Sequence, residues 1–297
     1  MTHISSIHAV ELSTQQAETD AGGRRRQPKQ IFWSLVRLIG TRWPEYSIEA
    51  ALLALFMISA CVLTVLFELP SSFVRQNIPS AFIRRAMTGM AMGLTAIALI
   101  YSPWGQRSGA HINPSVTLTF YRLGKIQIGD AVLYILSQFA GGIVGVRVAA
   151  HLLGTSVAHS NVRYAATYPG RYGAFPAAVS ELIISFLLML MVLYVSNHAR
   201  LSRFTGLFAG LLVASYITFE APFSGMSMNP ARTLASALPS GIWNGFWIYV
   251  VVPPLGMLAA AELFQRSTVH GSIPCCKLYH NPKRYCTFCG ANGDLHE

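Results

Sequence analysis

The chain has 297 residues, of which 53% are hydrophobic and only 11% charged, against about a quarter charged in a soluble domain. Its net charge of +10 does not mark a nucleic-acid surface, because the basic residues gather at the two ends and in short breaks between apolar runs. The composition reads as an all-α polytopic membrane protein, with the lipid bilayer as its surroundings and no nucleic acid as partner.

In chain order, residues 1–30 are rich in Ser, Gln, Thr and Arg and lack the short apolar core of a secretory signal. They are expected to form a disordered basic tail. Residues 31–45 are expected to form an amphipathic interfacial helix anchored by Trp33 and Trp43, with Arg24, Arg25 and Arg26 drawn to anionic headgroups. The alternative is an unordered basic tail. Six spanning segments follow, at about 46–68, 82–102, 128–153, 175–196, 204–221 and 242–264, each near the ~20 residues that cross a hydrocarbon core.

Two near copies interrupt the spans. Ser108-Gly109-Ala110-His111-Ile112-Asn113-Pro114-Ser115-Val116-Thr117-Leu118 lies between the second and third. Ser224-Gly225-Met226-Ser227-Met228-Asn229-Pro230-Ala231-Arg232-Thr233-Leu234 lies between the fifth and sixth. Asn-Pro suits a helix start, with Asn as the cap and Pro in the first helical position. The apolar stretch after each is too short to span, so each is expected to be a re-entrant half-helix. Each half-repeat, about 46–153 and 175–264, then holds three spans and one half-helix. An odd number of spans inverts the second half relative to the first. Two helix starts meeting near the midplane would turn unpaired N–H groups and positive dipole ends toward the interior.

Lys and Arg set the orientation. One side holds fifteen of them in loops and ends, and the other only Arg75, Arg84, Arg85, Arg163 and Arg171. Both termini are therefore expected in the cytoplasm. Arg147, in the third span, has no assigned role. Gly141-x-x-x-Gly145 and Gly206-x-x-x-Gly210 are expected to pack the two halves together.

Four of the five cysteines fall in the last segment, 265–297. Cys286-x-x-Cys289 has the spacing of a zinc knuckle, and Cys276 with His280, or Cys275 in place of Cys276, would complete a tetrahedral site. A cytoplasmic tail keeps such thiols reduced. The alternatives are a disordered tail with reducible cysteines or a palmitoylated one.

Paired Asn-Pro segments in an inverted three-plus-three repeat resemble the aquaporin, or major intrinsic protein, family over about residues 46–264. The resemblance rests on Gly109-Ala110-His111-Ile112-Asn113-Pro114 and Met228-Asn229-Pro230-Ala231-Arg232. Glu49, Glu181, Gln138-x-x-Gly141 and Pro253-x-x-Gly256 support it. It implies six transmembrane helices plus two re-entrant half-helices. It also implies a passive channel for water or small neutral solutes that excludes ions and protons. Transport would need no cofactor. A homotetramer in the plasma membrane, with one pore per subunit, is implied likewise.

Site roles follow from the same resemblance. Asn113, Pro114 and Ser115, and Asn229, Pro230 and Ala231, are the expected pore motifs, with the Asn amides donating to passing oxygens. Met92, Ile217, Met226 and Arg232 form the expected filter. Carbonyls of Gly109, Ala110, His111, Gly225, Met226 and Ser227 supply acceptors. Glu49 and Glu181 brace the loops, and a carboxylate such as Glu220 is the alternative partner for Arg232.

The chain departs from the family pattern at three points. Ser115 stands where Ala is usual, its hydroxyl expected to bond locally. Ile217 stands where water-selective members carry His. Thr233 stands where glycerol channels carry Asp. Water and small neutral solutes, glycerol among them, both remain open. A secondary transporter would need a midplane carboxylate facing its substrate, and an interaction protein would act through the tail. No nucleophile–base pair or phosphate loop suggests an enzyme.

Overall fold

A computed structural model describes residues 28–267, 275–280 and 286–290, with side chains from residue 40 onward. The described residues fall into two units, one up to Arg42 and one from Trp43. The expected N-terminal tail lies outside the described residues except for 28–30, which open a helix. Residues 31–45 are helical, and the side chains of 31–39 that would define an amphipathic face lie outside the described residues.

The helices are α1 (Pro28–Glu68), α2 (Phe73–Asn77), α3 (Ala81–Tyr101), α4 (Pro103–Ser108), α5 (Pro114–Arg122), α6 (Ile128–Leu153), α7 (Ala174–Ser196), α8 (Thr205–Phe219), α9 (Ala221–Ser224), α10 (Pro230–Ser240) and α11 (Phe246–Arg266). Among the described residues six helical segments are long and apolar enough to cross a membrane: Gly40–Glu68 of α1, α3, Ile128–Ala158 with α6, α7, Ser202–Phe219 with α8, and α11. No strand occurs among the described residues. The sixth span starts four residues later than expected, because residues 241–245 are used in turning the chain back after α10.

Small residues decide which helices touch. A β-carbon on Gly93 of α3 would lie 2.5 Å from the Gly210 carbonyl oxygen of α8. Only hydrogen fits where the two backbones meet, and this crossing joins the two halves. Gly141 and Gly145 behave differently from expectation. They press α6 against Ala50 and Ala54 of α1, inside the first half. Gly256 of α11 does the same against Leu182 and Ser185 of α7, inside the second half. The reason is the inverted repeat: a third helix of each half closes on the first helix of the same half. Gly145→Leu is expected to destabilise the protein by about 1–3 kcal/mol, since the nearest atom is the fixed Ala54 carbonyl at 2.5 Å. Thermal unfolding in detergent measures this.

Large apolar side chains such as Leu55, Met90, Leu136, Leu187, Leu211 and Leu255 are exposed around the outside. In a membrane they meet lipid. Arg147 is exposed within the last two turns of α6, where a long basic side chain can reach a headgroup layer.

Candidate functional site

The Asn-Pro pairs start the two short helices. Asn113 caps α5 in extended geometry (φ −154°, ψ 123°), its Oδ1 accepting from Ser115 N at 2.8 Å. Asn229 caps α10 (φ −144°, ψ 108°), its Oδ1 accepting from Ala231 N at 3.0 Å and Arg232 N at 3.2 Å. Pro114 and Pro230 fill the first helical positions, where a missing N–H costs nothing. The other end of each amide reaches across the molecule. Asn113 Nδ2 donates to the Met228 carbonyl at 2.7 Å, and Asn229 Nδ2 donates to the Ile112 carbonyl at 2.8 Å. Two helix N-termini are thus tied head to head. A side-chain amide has two N–H groups, so one remains for a passing oxygen. Ser115 Oγ, expected to bond locally, is instead buried with no hydrogen-bond partner and stays off the cavity wall.

The loops leading into these helices are strained and held in place. α4 ends at Gly109 (φ +100°) and α9 at Gly225 (φ +79°), left-handed caps that favour glycine. Ala110, Ile112, Met226 and Met228 then also take φ of 54–55°, a region that costs a non-glycine residue free energy and persists only where its surroundings enforce it. A buried carboxylate enforces it in each loop. Glu49 accepts from Ser108 Oγ (2.8 Å), His111 N (3.1 Å), Ile112 N (2.7 Å) and Gln138 Nε2 (2.9 Å). Glu181 accepts from Ser224 Oγ, Ser227 N and Met228 N, each at 2.7 Å. Tyr134 and Tyr249 donate their hydroxyls to the Ser108 and Ser224 carbonyls. Sequence reasoning missed the left-handed residues, because Ala, Ile and Met carry no local signal for that geometry.

A cavity of about 310 Å³ runs past both half-helix starts. Met92, Ile217, Met226 and Arg232 all line it, together with Asn113 and Asn229. Ala110, His111, Gly225 and Ser227 also line it, and Gly109 does not. The Gly109 carbonyl, expected to face a permeating molecule, accepts from Leu278 N at 3.1 Å. Arg232 is half-buried, and its Nη1 is enclosed with no protein hydrogen-bond partner. It makes no ion pair with Glu220 among the described residues, and both Glu220 carboxylate oxygens are enclosed and unbonded. No Asp or Glu is among the described lining residues. Much of the rest of the wall is apolar, with Phe56, Leu188, Met189, Val192 and Val213 prominent, and Thr64, Thr88, Asn161, Arg163 and Tyr168 add polar groups.

A second cluster sits in the tail. Donor atoms of Cys275, His280, Cys286 and Cys289 all lie within 4.8 Å of one another. Cys275, not Cys276, takes the fourth position. Consecutive side chains point apart, and Cys276 turns inward to full burial, its carbonyl 2.7 Å from His111 Nε2. The Cys275 thiol between them lowers both Cys276 and Cys286 from the usual thiol value, and Cys275 itself is raised by those two contacts. Thiolates are the form that binds metal. Three sulfurs and one imidazole suit a soft divalent ion such as zinc.

Six apolar helices around a cavity that receives two half-helices define a polytopic membrane channel. The chain belongs to the major intrinsic protein family, whose family model matches residues 43–264. It is 38% identical over 183 residues to a probable aquaporin of Archaeoglobus fulgidus, a match covering 59% of this chain and 74% of that one. A probable NIP-type aquaporin of Nicotiana alata is 35% identical over 179 residues, covering 59% of this chain. The match spans 64% of the Nicotiana protein, just under two thirds of its length. The X-ray structure of the aquaglyceroporin from Plasmodium falciparum superposes with a TM-score of 0.62 at 19% identity, over 76% of this chain and 96% of that one. That last likeness speaks to the fold. Family members are channels, not enzymes.

Proposed function

We propose that this chain is a passive channel for water and small neutral solutes that excludes ions and protons. The observation that carries the reading is the cavity wall itself. Two Asn amides at facing helix starts and the Arg232 guanidinium offer donors and positive potential, and among the described residues no carboxylate lines the wall, Glu181 and Glu220 near Arg232 lying off it. Cations are repelled, while neutral molecules exchange hydrogen bonds with the donors and with the carbonyls of residues 110–111 and 225–227. Met92, Ile217 and Met226 make the other filter walls apolar, which favours small neutral solutes alongside water. The absence of acidic lining residues among the described residues counts against an ion-coupled transporter.

In this reading Glu49 and Glu181 act as braces, and Pro114, Ser115, Pro230 and Ala231 shape the half-helix starts. The protein resides in the plasma membrane as a homotetramer with one pore per subunit and both termini in the cytoplasm. Transport uses no cofactor, and the tail donors hold a structural zinc ion.

Stopped-flow light scattering on proteoliposomes tests the channel, comparing water, glycerol and urea against empty vesicles. Water flux well above empty vesicles is the expected result, with at least one of the two solutes also conducted. Asn229→Asp replaces the amide donor to the Ile112 carbonyl with an acceptor, and lower water flux with weakened proton exclusion is expected. Flux equal to empty vesicles for all three molecules would overturn the reading.

A further inference from the structure

The tail does not hang free of the pore. Leu278 is the one described tail residue on the cavity wall, buried, with its N–H on the Gly109 carbonyl. Its neighbours are fixed to the same rim. The Cys276 carbonyl meets His111 Nε2 at 2.7 Å, and Lys277 Nζ donates to the Gln106 carbonyl at 2.9 Å. Tyr279 packs edge-on against Tyr101 with ring centroids 5.2 Å apart. Across the cluster, Phe288 packs edge-on against Tyr134 at 6.0 Å. Every residue between Cys275 and His280 therefore contacts the 101–111 segment, which leads into α5 at one end of the cavity. The opposite end is closed in by Asn161, Val162 and Arg163 from the connection between α6 and α7, which lies across the molecule from the α3–α6 connection that carries Gly109.

Cys275 and His280 are also two of the four clustered donors. The Cys275–Cys286 sulfurs are 3.5 Å apart, and Cys289 Sγ is 3.3 Å from His280 Nε2. Tetrahedral zinc, with Zn–S near 2.3 Å and Zn–N near 2.0 Å, sets those edges at about 3.8 Å and about 3.5 Å. Those two edges differ from a tetrahedral site by a few tenths of an ångström, and the remaining donor pairs lie within 4.8 Å.

We infer that a zinc-class ion bound by Cys275, His280, Cys286 and Cys289 acts as a latch, clamping the arc that carries Leu278 across the inner mouth of the pore. The inference deepens the channel reading and rests on it. Both ends of the arc are ligands, so binding fixes the arc in the one shape that seats Leu278. Holding the arc in that shape lowers the cost of docking it and shifts the balance toward a closed mouth. Loss of the ion frees the arc, and the Gly109 carbonyl is returned to the pore. The latch thus couples conduction to intracellular zinc and thiol status.

The test uses the full-length chain in proteoliposomes, with zinc per chain measured by elemental analysis on the same samples. Zinc chloride is the probe, and a membrane-permeant chelator removes it. One zinc per chain is expected in wild type and in Leu278→Gly, and substoichiometric zinc in Cys289→Ser. Water flux is expected to rise about tenfold on chelation, as a modest shift in a two-state balance produces. Leu278→Gly should show that raised flux with zinc still bound, which separates the plug from any unfolding caused by losing a ligand. Wild type that binds no zinc overturns the metal site. Zinc bound at one per chain, with equal fast flux in wild type, chelated wild type and Leu278→Gly, overturns the latch and leaves the channel standing. No flux above empty vesicles in any of the samples overturns the channel reading and the latch with it.

Discussion

Arg232→Val is expected to raise urea permeation and to admit protons or small cations, at equal abundance in the membrane. Arg232 shares the cavity wall with Met92, Ile217 and Met226, and its Nη1 is enclosed without a protein partner. It is the fixed charge of the proposed filter. A unit charge about 4 Å from a passing cation, at an effective dielectric of about 20, opposes it by about 4 kcal/mol, which corresponds to roughly a thousandfold in rate. Valine removes that repulsion and also shortens the side chain, leaving a wider and wholly apolar ring. Stopped-flow urea flux and a vesicle-entrapped pH dye measure the two consequences. Unchanged urea and proton leak in Arg232→Val would remove Arg232 from the filter.

Glu181→Ala is expected to prevent accumulation of folded protein, and Glu49→Ala to do the same. Alanine at 181 leaves three donors, Ser224 Oγ, Ser227 N and Met228 N, without the acceptor they have now. Alanine at 49 strips four. Each buried orphan donor costs about 1–3 kcal/mol, and the loss falls on loops already strained by left-handed Ala110, Ile112, Met226 and Met228. The sum is of the order of a whole domain's net stability. Glu181→Gln keeps one oxygen acceptor and is expected to fall between wild type and Glu181→Ala. Size-exclusion chromatography of detergent extracts reads the yield of folded protein. Wild-type yield from either alanine variant would mean that the glutamates do not hold the loops.

Much of this architecture is legible in the residues. The spans show because apolar runs of membrane length are local signals, and the half-helix starts show because Asn and Pro have one favourable use side by side. What was not legible depends on partners far away in the chain. Cys275 and Cys276 are identical neighbours, and only the docking of Cys276 against His111 decides which one faces the cluster. Gly141 and Gly145 advertise a close approach without naming the helix, and the partner is α1 of the same half. The Gly109 carbonyl is taken by the N–H of Leu278, far along the chain, and nothing near Gly109 announces it. The left-handed turns at Ala110 and Met226 are imposed by Glu49 and Glu181, not by their own chemistry.

The reciprocal bonds between Asn113 and Met228, and between Asn229 and Ile112, bear on how the protein is made. Glu49 finds all its partners within the first half, so the first loop can be shaped as soon as that half is in the bilayer. The Asn113 amide has no such local option in the finished fold. Its acceptor is synthesised only near the end of the chain. During translation the first half therefore waits, braced yet unfinished, with a polar tip facing the membrane interior until its twin arrives. The centre of the molecule is completed only once residue 228 has been made, and a ribosome stalled before it leaves a half-built molecule with an open polar seam.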